Sequence, residues 1–268
     1  MLRVCVSLLG AVALLGCALS RKVPEPILQT SAEHSFVREQ LIFHSDFDLP
    51  RQHRLLDEVT SLRADIASKL GIPASDEPIH VYLFESAESY GDFARKYFPK
   101  SAPRRAFFLE TDTRLNVYAQ WGDSVAEDLR HETTHGYLHA AVRHVPLWLD
   151  EGIAEYFEVP RGRLGRNDPH VQLLTARAAE GQWSPDLGRL EQLRSAAEMT
   201  QQDYAEAWLW VHLLLESTPA RRELLTTWLS NLRRDGIASP LSLRVREHDS
   251  APHRSAVEHL QSLGLRDG

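Results

Sequence analysis

Cysteine is almost missing from this chain. Its 268 residues include two, Cys5 and Cys17, and Cys5 lies in a segment that reads as a removable export signal. With that segment gone, one cysteine remains and no intrachain disulfide can form, so stability must come from packing and from any bound metal. An excess of positive charge is missing too. Thirty Lys and Arg stand against 37 Asp and Glu, for a formal charge of -7, and no basic stripe runs along the sequence. That balance argues against a nucleic-acid-binding protein. The one local basic run, Arg161-Gly162-Arg163-Leu164-Gly165-Arg166, reads as a solvated loop. Internal repeats and low-complexity tracts are absent as well. What remains, 43% hydrophobic and 25% charged residues, is ordinary for a globular protein with a substantial core.

The N-terminus carries its own signal. Arg3 gives a positive start, and Val4 to Leu15 is apolar apart from Ser7, too short to span a bilayer comfortably. The segment ends Leu14-Leu15-Gly16-Cys17, which resembles a bacterial lipobox. The resemblance implies cleavage before Cys17 and lipidation of that residue. Residues 1–16 are then a lipoprotein signal peptide, and the product is exported and lipid-anchored in the bacterial cell envelope, on the periplasmic or outer-membrane side. Residues 17–34, with Pro24 and Pro26, read as a tether. Residues 35–268 read as a single domain, with a sheet-containing lobe to about 142 and a helical lobe from about 147.

Hydrophobic periodicity places the elements. Leu41–His44 and Ile79–Phe84 read as strands. Leu55–Leu70 reads as a helix capped by Gly71, and Ser86–Phe98 as a helix stopped by Pro99. A hairpin follows: Ala106–Leu109, a turn near Thr111-Asp112-Thr113, and a return strand in which Leu115, Val117 and Ala119 alternate. Ser124-Val125-Ala126-Glu127 fits a capping box opening a helix to about Val142. A second helix spans Leu147 to Glu158, with Pro146 at its start and Pro160 beyond its end. The rest predicts helices at His170–Glu180, Asp203–Glu216, Pro219–Arg234 and, weakly, Arg254–Leu263, with Trp208, Trp210, Leu213 and Leu214 in the core. The order predicts an α+β fold: a small mixed sheet with an edge hairpin, then a mostly helical C-terminal lobe.

Chemistry concentrates on the first of the two paired helices. His131-Glu132-Thr133-Thr134-His135 puts two imidazoles one turn apart on one helical face. Glu151, on the following helix, adds a carboxylate. Two nitrogens and one oxygen form a three-ligand set for a divalent metal with the fourth position left to water, and Glu132 beside the first histidine is placed to accept a proton from that water. A further group must hold the developing oxyanion; Tyr204, at the start of the helix that would face the site, is the first candidate and His212 the second. His139 and His144 read as ordinary hydrogen-bonded or exposed histidines.

The pattern His131-Glu132-x-x-His135 followed by Trp148-Leu149-Asp150-Glu151-Gly152-x-Ala154-Glu155-Tyr156 resembles the gluzincin branch of zinc metallopeptidases, and within it the bacterial peptidase MA-like families. A metzincin would need glycine at position 138 and histidine at position 141, where Leu138 and Ala141 stand. The resemblance implies a zincin-like fold with the sheet packed on the histidine helix, His131, His135 and Glu151 as Zn2+ ligands, and Glu132 as general base. It implies that Glu155 orients the first histidine and Asp150 supports the second. It also implies an edge strand that pairs with extended substrate, placed here at Leu115, Asn116, Val117 and Tyr118. The expected activity is peptide-bond hydrolysis on a peptide or protein substrate, outside the cytoplasm. Two alternatives stay open: a metal-stabilised, non-catalytic binding lipoprotein, and a zinc hydrolase of a non-peptide amide or ester.

Overall fold

The computed structural model describes residues 34–99 and 104–265. The expected signal segment, Cys17 and all of the expected tether but His34 therefore lie outside the described residues. Five strands form one mixed sheet: β1 (Ser35–Arg38), β2 (Leu41–Ser45), β3 (Ile79–Phe84), β4 (Ala106–Glu110) and β5 (Leu115–Gln120), in the order β1-β2-β3-β5-β4. The three inner strands run parallel to one another, and β1 and β4 add antiparallel at the two edges. No described helix is long and apolar enough to cross a membrane.

Each face of the sheet is covered by different residues. Leu41, Phe43, Ile79, Val81, Leu83, Leu115 and Val117 are buried in the main core beneath α1 (Arg54–Leu70) and α3 (Val125–Ala141). The opposite face is aromatic. Tyr82, Phe84 and Tyr118 pack there with Tyr90 and Phe93 of α2 (Ala87–Tyr97). Side chains that alternate between faces at a period of two produce this division directly. The helix ends follow the chemistry of their residues. Gly71 closes α1 at φ 64°, a left-handed conformation that glycine adopts without steric cost, and Ser86 caps α2 through a capping box with Ser89.

Two expectations need correction. The strand Leu115, Asn116, Val117, Tyr118 is not an edge: β5 lies between β3 and β4, hydrogen-bonded on both sides. The edge beside α3 is β4, whose outer side meets no strand among the described residues. Alternation in the sequence reveals faces and is blind to which strand of a hairpin meets a third one. Nor does Ser124 form the predicted capping box. Its backbone is helical and its side chain makes no cap bond to α3; its hydroxyl instead accepts from Arg105 at 3.0 Å. β1 and the short helices α6 (Leu187–Leu190) and α9 (Leu241–His248) were not expected, because four to eight residues carry too little periodicity to register.

Beyond Gln120 every described element is helical: α3, α4 (Leu147–Phe157), α5 (Asp168–Ala179), α6, a 3-10 turn at Ala196–Glu198, α7 (Gln201–Glu216), α8 (Pro219–Asp235), α9 and α10 (Pro252–Gly264). Trp208, Trp210, Leu213 and Leu214 are buried in the core as predicted. The tightest helix contact is α4 on α7. A Cβ at Gly152 would come within 2.6 Å of the Ala207 carbonyl oxygen, so only glycine admits this approach. Its neighbour Glu151 is thereby fixed in depth against α3.

Candidate metal centre

α3 and α4 meet with their polar residues facing each other. His131 Nε2 and His135 Nε2 lie 3.2 Å apart, and Glu151 Oε2 stands 3.6 Å from the first and 3.7 Å from the second. Zn–N bonds of about 2.0–2.1 Å in a tetrahedron put neighbouring ligand atoms about 3.3 Å apart. The three distances therefore suit one small ion. The three atoms form one of three groups of possible metal-holding residues among the described residues.

Hydrogen bonds on the far side of each ring set the two tautomers. His135 Nδ1 is 2.9 Å from Asp150 Oδ1, and His131 Nδ1 is 3.0 Å from Glu158 Oε2. A carboxylate only accepts, so each Nδ1 carries the proton and each Nε2 keeps its lone pair. Three lone pairs then converge in a buried place with no donor among them. Such a set requires a cation: either a metal, or protons on the imidazoles. Burial opposes charging His131, yet hydrogen bonds to Glu151 and Glu158 raise its pKa well above the usual histidine value. Burial likewise opposes charging His135, and Asp150 leads the groups that raise it. The donor set thus attracts positive charge and fits a divalent ion.

The expected support of His135 by Asp150 is present. Asp150 extends it further, because its other oxygen lies 3.0 Å from His139 Nε2, whose Nδ1 lies 2.6 Å from Glu110 Oε2. Burial alone would raise the Asp150 pKa, but His135 and His139 hold it below the ordinary range. Support of His131 by Glu155 needs correction. The acid on His131 Nδ1 is Glu158, one turn further along, while Glu155 takes His170 Nε2 at 2.6 Å. The Glu158 carboxyl also accepts from Asn167 Nδ2 at 2.7 Å, and its backbone carbonyl accepts from Arg130 Nε. Burial and nearby Glu155 raise the Glu158 carboxyl, against the hydrogen bond from His131. Sequence reasoning passed over Glu158, Asn167 and His170. One usable signal existed: Glu151, Glu155 and Glu158 follow one another at four- and three-residue steps, which places them along one helical stripe.

A cleft of about 760 Å³ opens beside the centre, and Glu132, Glu151 and Tyr204 line it. Glu132 makes no hydrogen bond to a described residue. Burial raises its carboxyl pKa, with His131 and His135 pulling it back. Burial, then the Glu151 charge, raises the Tyr204 hydroxyl, so it remains a proton donor. His212 does not reach the cleft: its Nδ1 meets His259 Nε2 at 2.9 Å and its ring packs on Tyr156 and Trp208. His144 is exposed, as expected. The Arg161–Arg166 run is only partly a solvated loop. Arg163 and Arg166 pair with Asp168 and line the cleft, because this loop folds back over the end of α4.

Residues 125–235 match a family described as Protein of unknown function (DUF1570). The matched stretch begins at the first residue of α3 and ends at the last of α8, so it contains every residue of the centre except Glu110. No curated protein matches the chain.

Proposed function

We propose that the chain is a zinc-dependent peptidase of gluzincin type, with a zincin-like arrangement of sheet and histidine helix. One observation carries the reading: His131 Nε2, His135 Nε2 and Glu151 Oε2 converge at 3.2–3.7 Å, with an uncommitted carboxylate, Glu132, alongside. A purely structural metal site has no need of that carboxylate.

Zinc held by these atoms supplies a Lewis acid that makes water nucleophilic near neutral pH. Glu132 accepts a proton from the attacking water and passes it to the leaving nitrogen, restoring its own charge. Its raised pKa strengthens it as a base. Tyr204 donates its hydroxyl hydrogen to the oxygen that gains charge as the carbonyl is attacked. Asp150 and Glu158 hold the two imidazoles in the tautomer that presents Nε2. β4 offers its outer side to an extended peptide through main-chain hydrogen bonds, and Phe108 on that strand stacks with the His135 ring at 5.8 Å between centroids.

The test is hydrolysis of a broad peptide library by zinc-loaded protein, with a chelated control. Glu132→Gln should retain zinc and lose about 100- to 10,000-fold in rate. Unchanged turnover in that variant would remove Glu132 from its role, and no cleavage of any peptide by the zinc-loaded chain would favour a binding lipoprotein. Cleavage confined to non-peptide amides or esters would select that hydrolase class instead. The envelope location rests on the lipobox-like residues, and mass spectrometry of Cys17 from native membranes checks it; an unmodified thiol there contradicts lipidation.

A further inference from the structure

Several arginines border the cleft, and nearly all are already committed. Arg105 pairs with Asp128 at 2.9 Å, and Arg130 pairs with Glu58 at 3.0 Å. Arg163 and Arg166 share Asp168. Arg104 differs. It lines the cleft, is exposed, and makes no hydrogen bond or ion pair with another described residue. Glu132 and Tyr204 line the same cleft. An unpaired guanidinium thus shares the cleft with the two groups assigned to proton transfer and oxyanion binding.

Its place in the chain gives it a direction. Arg104 stands two residues before Ala106, the first residue of the edge strand β4, and Glu110 closes the same strand beside His139. A peptide lying along β4 therefore meets a free positive charge at one end and an acid already engaged by a histidine at the other. Guanidinium binds carboxylate through two parallel hydrogen bonds.

We propose that Arg104 is a specificity-determining residue that binds a carboxylate of the peptide, either an acidic side chain or the free C-terminus. The assignment rests on the peptide-cleaving reading above, and its test separates the two. Zinc-loaded Glu132→Gln protein is titrated calorimetrically with alanine-based peptides in matched pairs. In one pair Glu replaces Gln with the C-terminus amidated; in the other a free C-terminus replaces the amide with Gln throughout. At least one carboxylate peptide should bind on the order of tenfold more tightly than its neutral twin, and the pair showing the preference names the source. Arg104→Ala should abolish the preference, Arg104→Lys should keep part of it, and raised salt should weaken it. Equal binding within both pairs, no binding of any peptide, or a preference that survives Arg104→Ala overturns the assignment. An Arg104-dependent preference without cleavage by the unsubstituted zinc-loaded chain would instead defeat the peptidase reading and leave Arg104 as a carboxylate-binding residue.

Discussion

Glu206 and Glu151 are both buried carboxylates, on helices that pack against each other, and their surroundings are opposite. Glu206, fully buried, is surrounded by donors. Trp183 Nε1 at 2.9 Å, the Asp186 backbone N–H at 2.6 Å, Arg189 at 2.8 Å and Trp210 Nε1 at 3.4 Å all point at it. Glu151 instead faces two imidazole nitrogens whose protons sit on the far side of each ring. The first arrangement is closed and satisfied, and it ties α7 to the Trp183–Arg189 stretch. The second is open and needs something positive. Burial of an acid therefore says little about function; what points at the acid decides.

Removing each carboxylate should separate the two roles. Glu206→Ala strands two indole N–H groups, a backbone N–H and part of an arginine's hydrogen bonding, so it should cost about 3 kcal/mol in urea or thermal melts while zinc content stays unchanged. Loss of zinc without loss of stability in Glu206→Ala would reverse the comparison.

The next effect lies among the acids of α4. Glu158→Gln and Asp150→Asn should each weaken zinc about 10- to 100-fold in chelator competition, because they alter the groups that fix the two imidazoles. Glu155→Gln, whose carboxylate meets His170, should weaken it less. Equal losses in Glu155→Gln and Glu158→Gln would return Glu155 to the role first expected of it.

That correction shows what a sequence can and cannot carry. The pairing of His131 with His135 was legible because local helix geometry places residues four apart on one face; Glu151 was read from the following helix, and the place of Asp150 came from the resemblance. Gly71 and the Pro99 stop were legible for equally local reasons. The choice between Glu155 and Glu158 was not. Both share the right stripe, and the deciding contacts come from Asn167 and His170, beyond a loop whose path no periodicity encodes. The edge strand failed for a similar reason. β5 becomes interior through its parallel pairing with β3, and the polypeptide between them includes all of α2.

The smallest expected effect concerns His139, at the far end of the Asp150 chain. Burial opposes its charge, but Asp150 and Glu110 raise its pKa to about 9. A histidine raised above its unfolded value of about 6.5 stabilises the folded chain fully below that pH, and the contribution fades as pH rises through about 9. Metal-free protein should therefore exceed His139→Asn in stability in mild acid, and the gap in urea melts should close in alkali. A gap that widens with pH would mean that His139 sits neutral.

Zinc stoichiometry is the most direct trial of the centre. Purified protein loaded with zinc and dialysed should carry about one ion per chain by elemental analysis, while Glu151→Ala, treated identically and shown to be folded, should carry close to none. An empty wild-type chain, or a Glu151→Ala variant that holds as much zinc as wild type, would contradict the account.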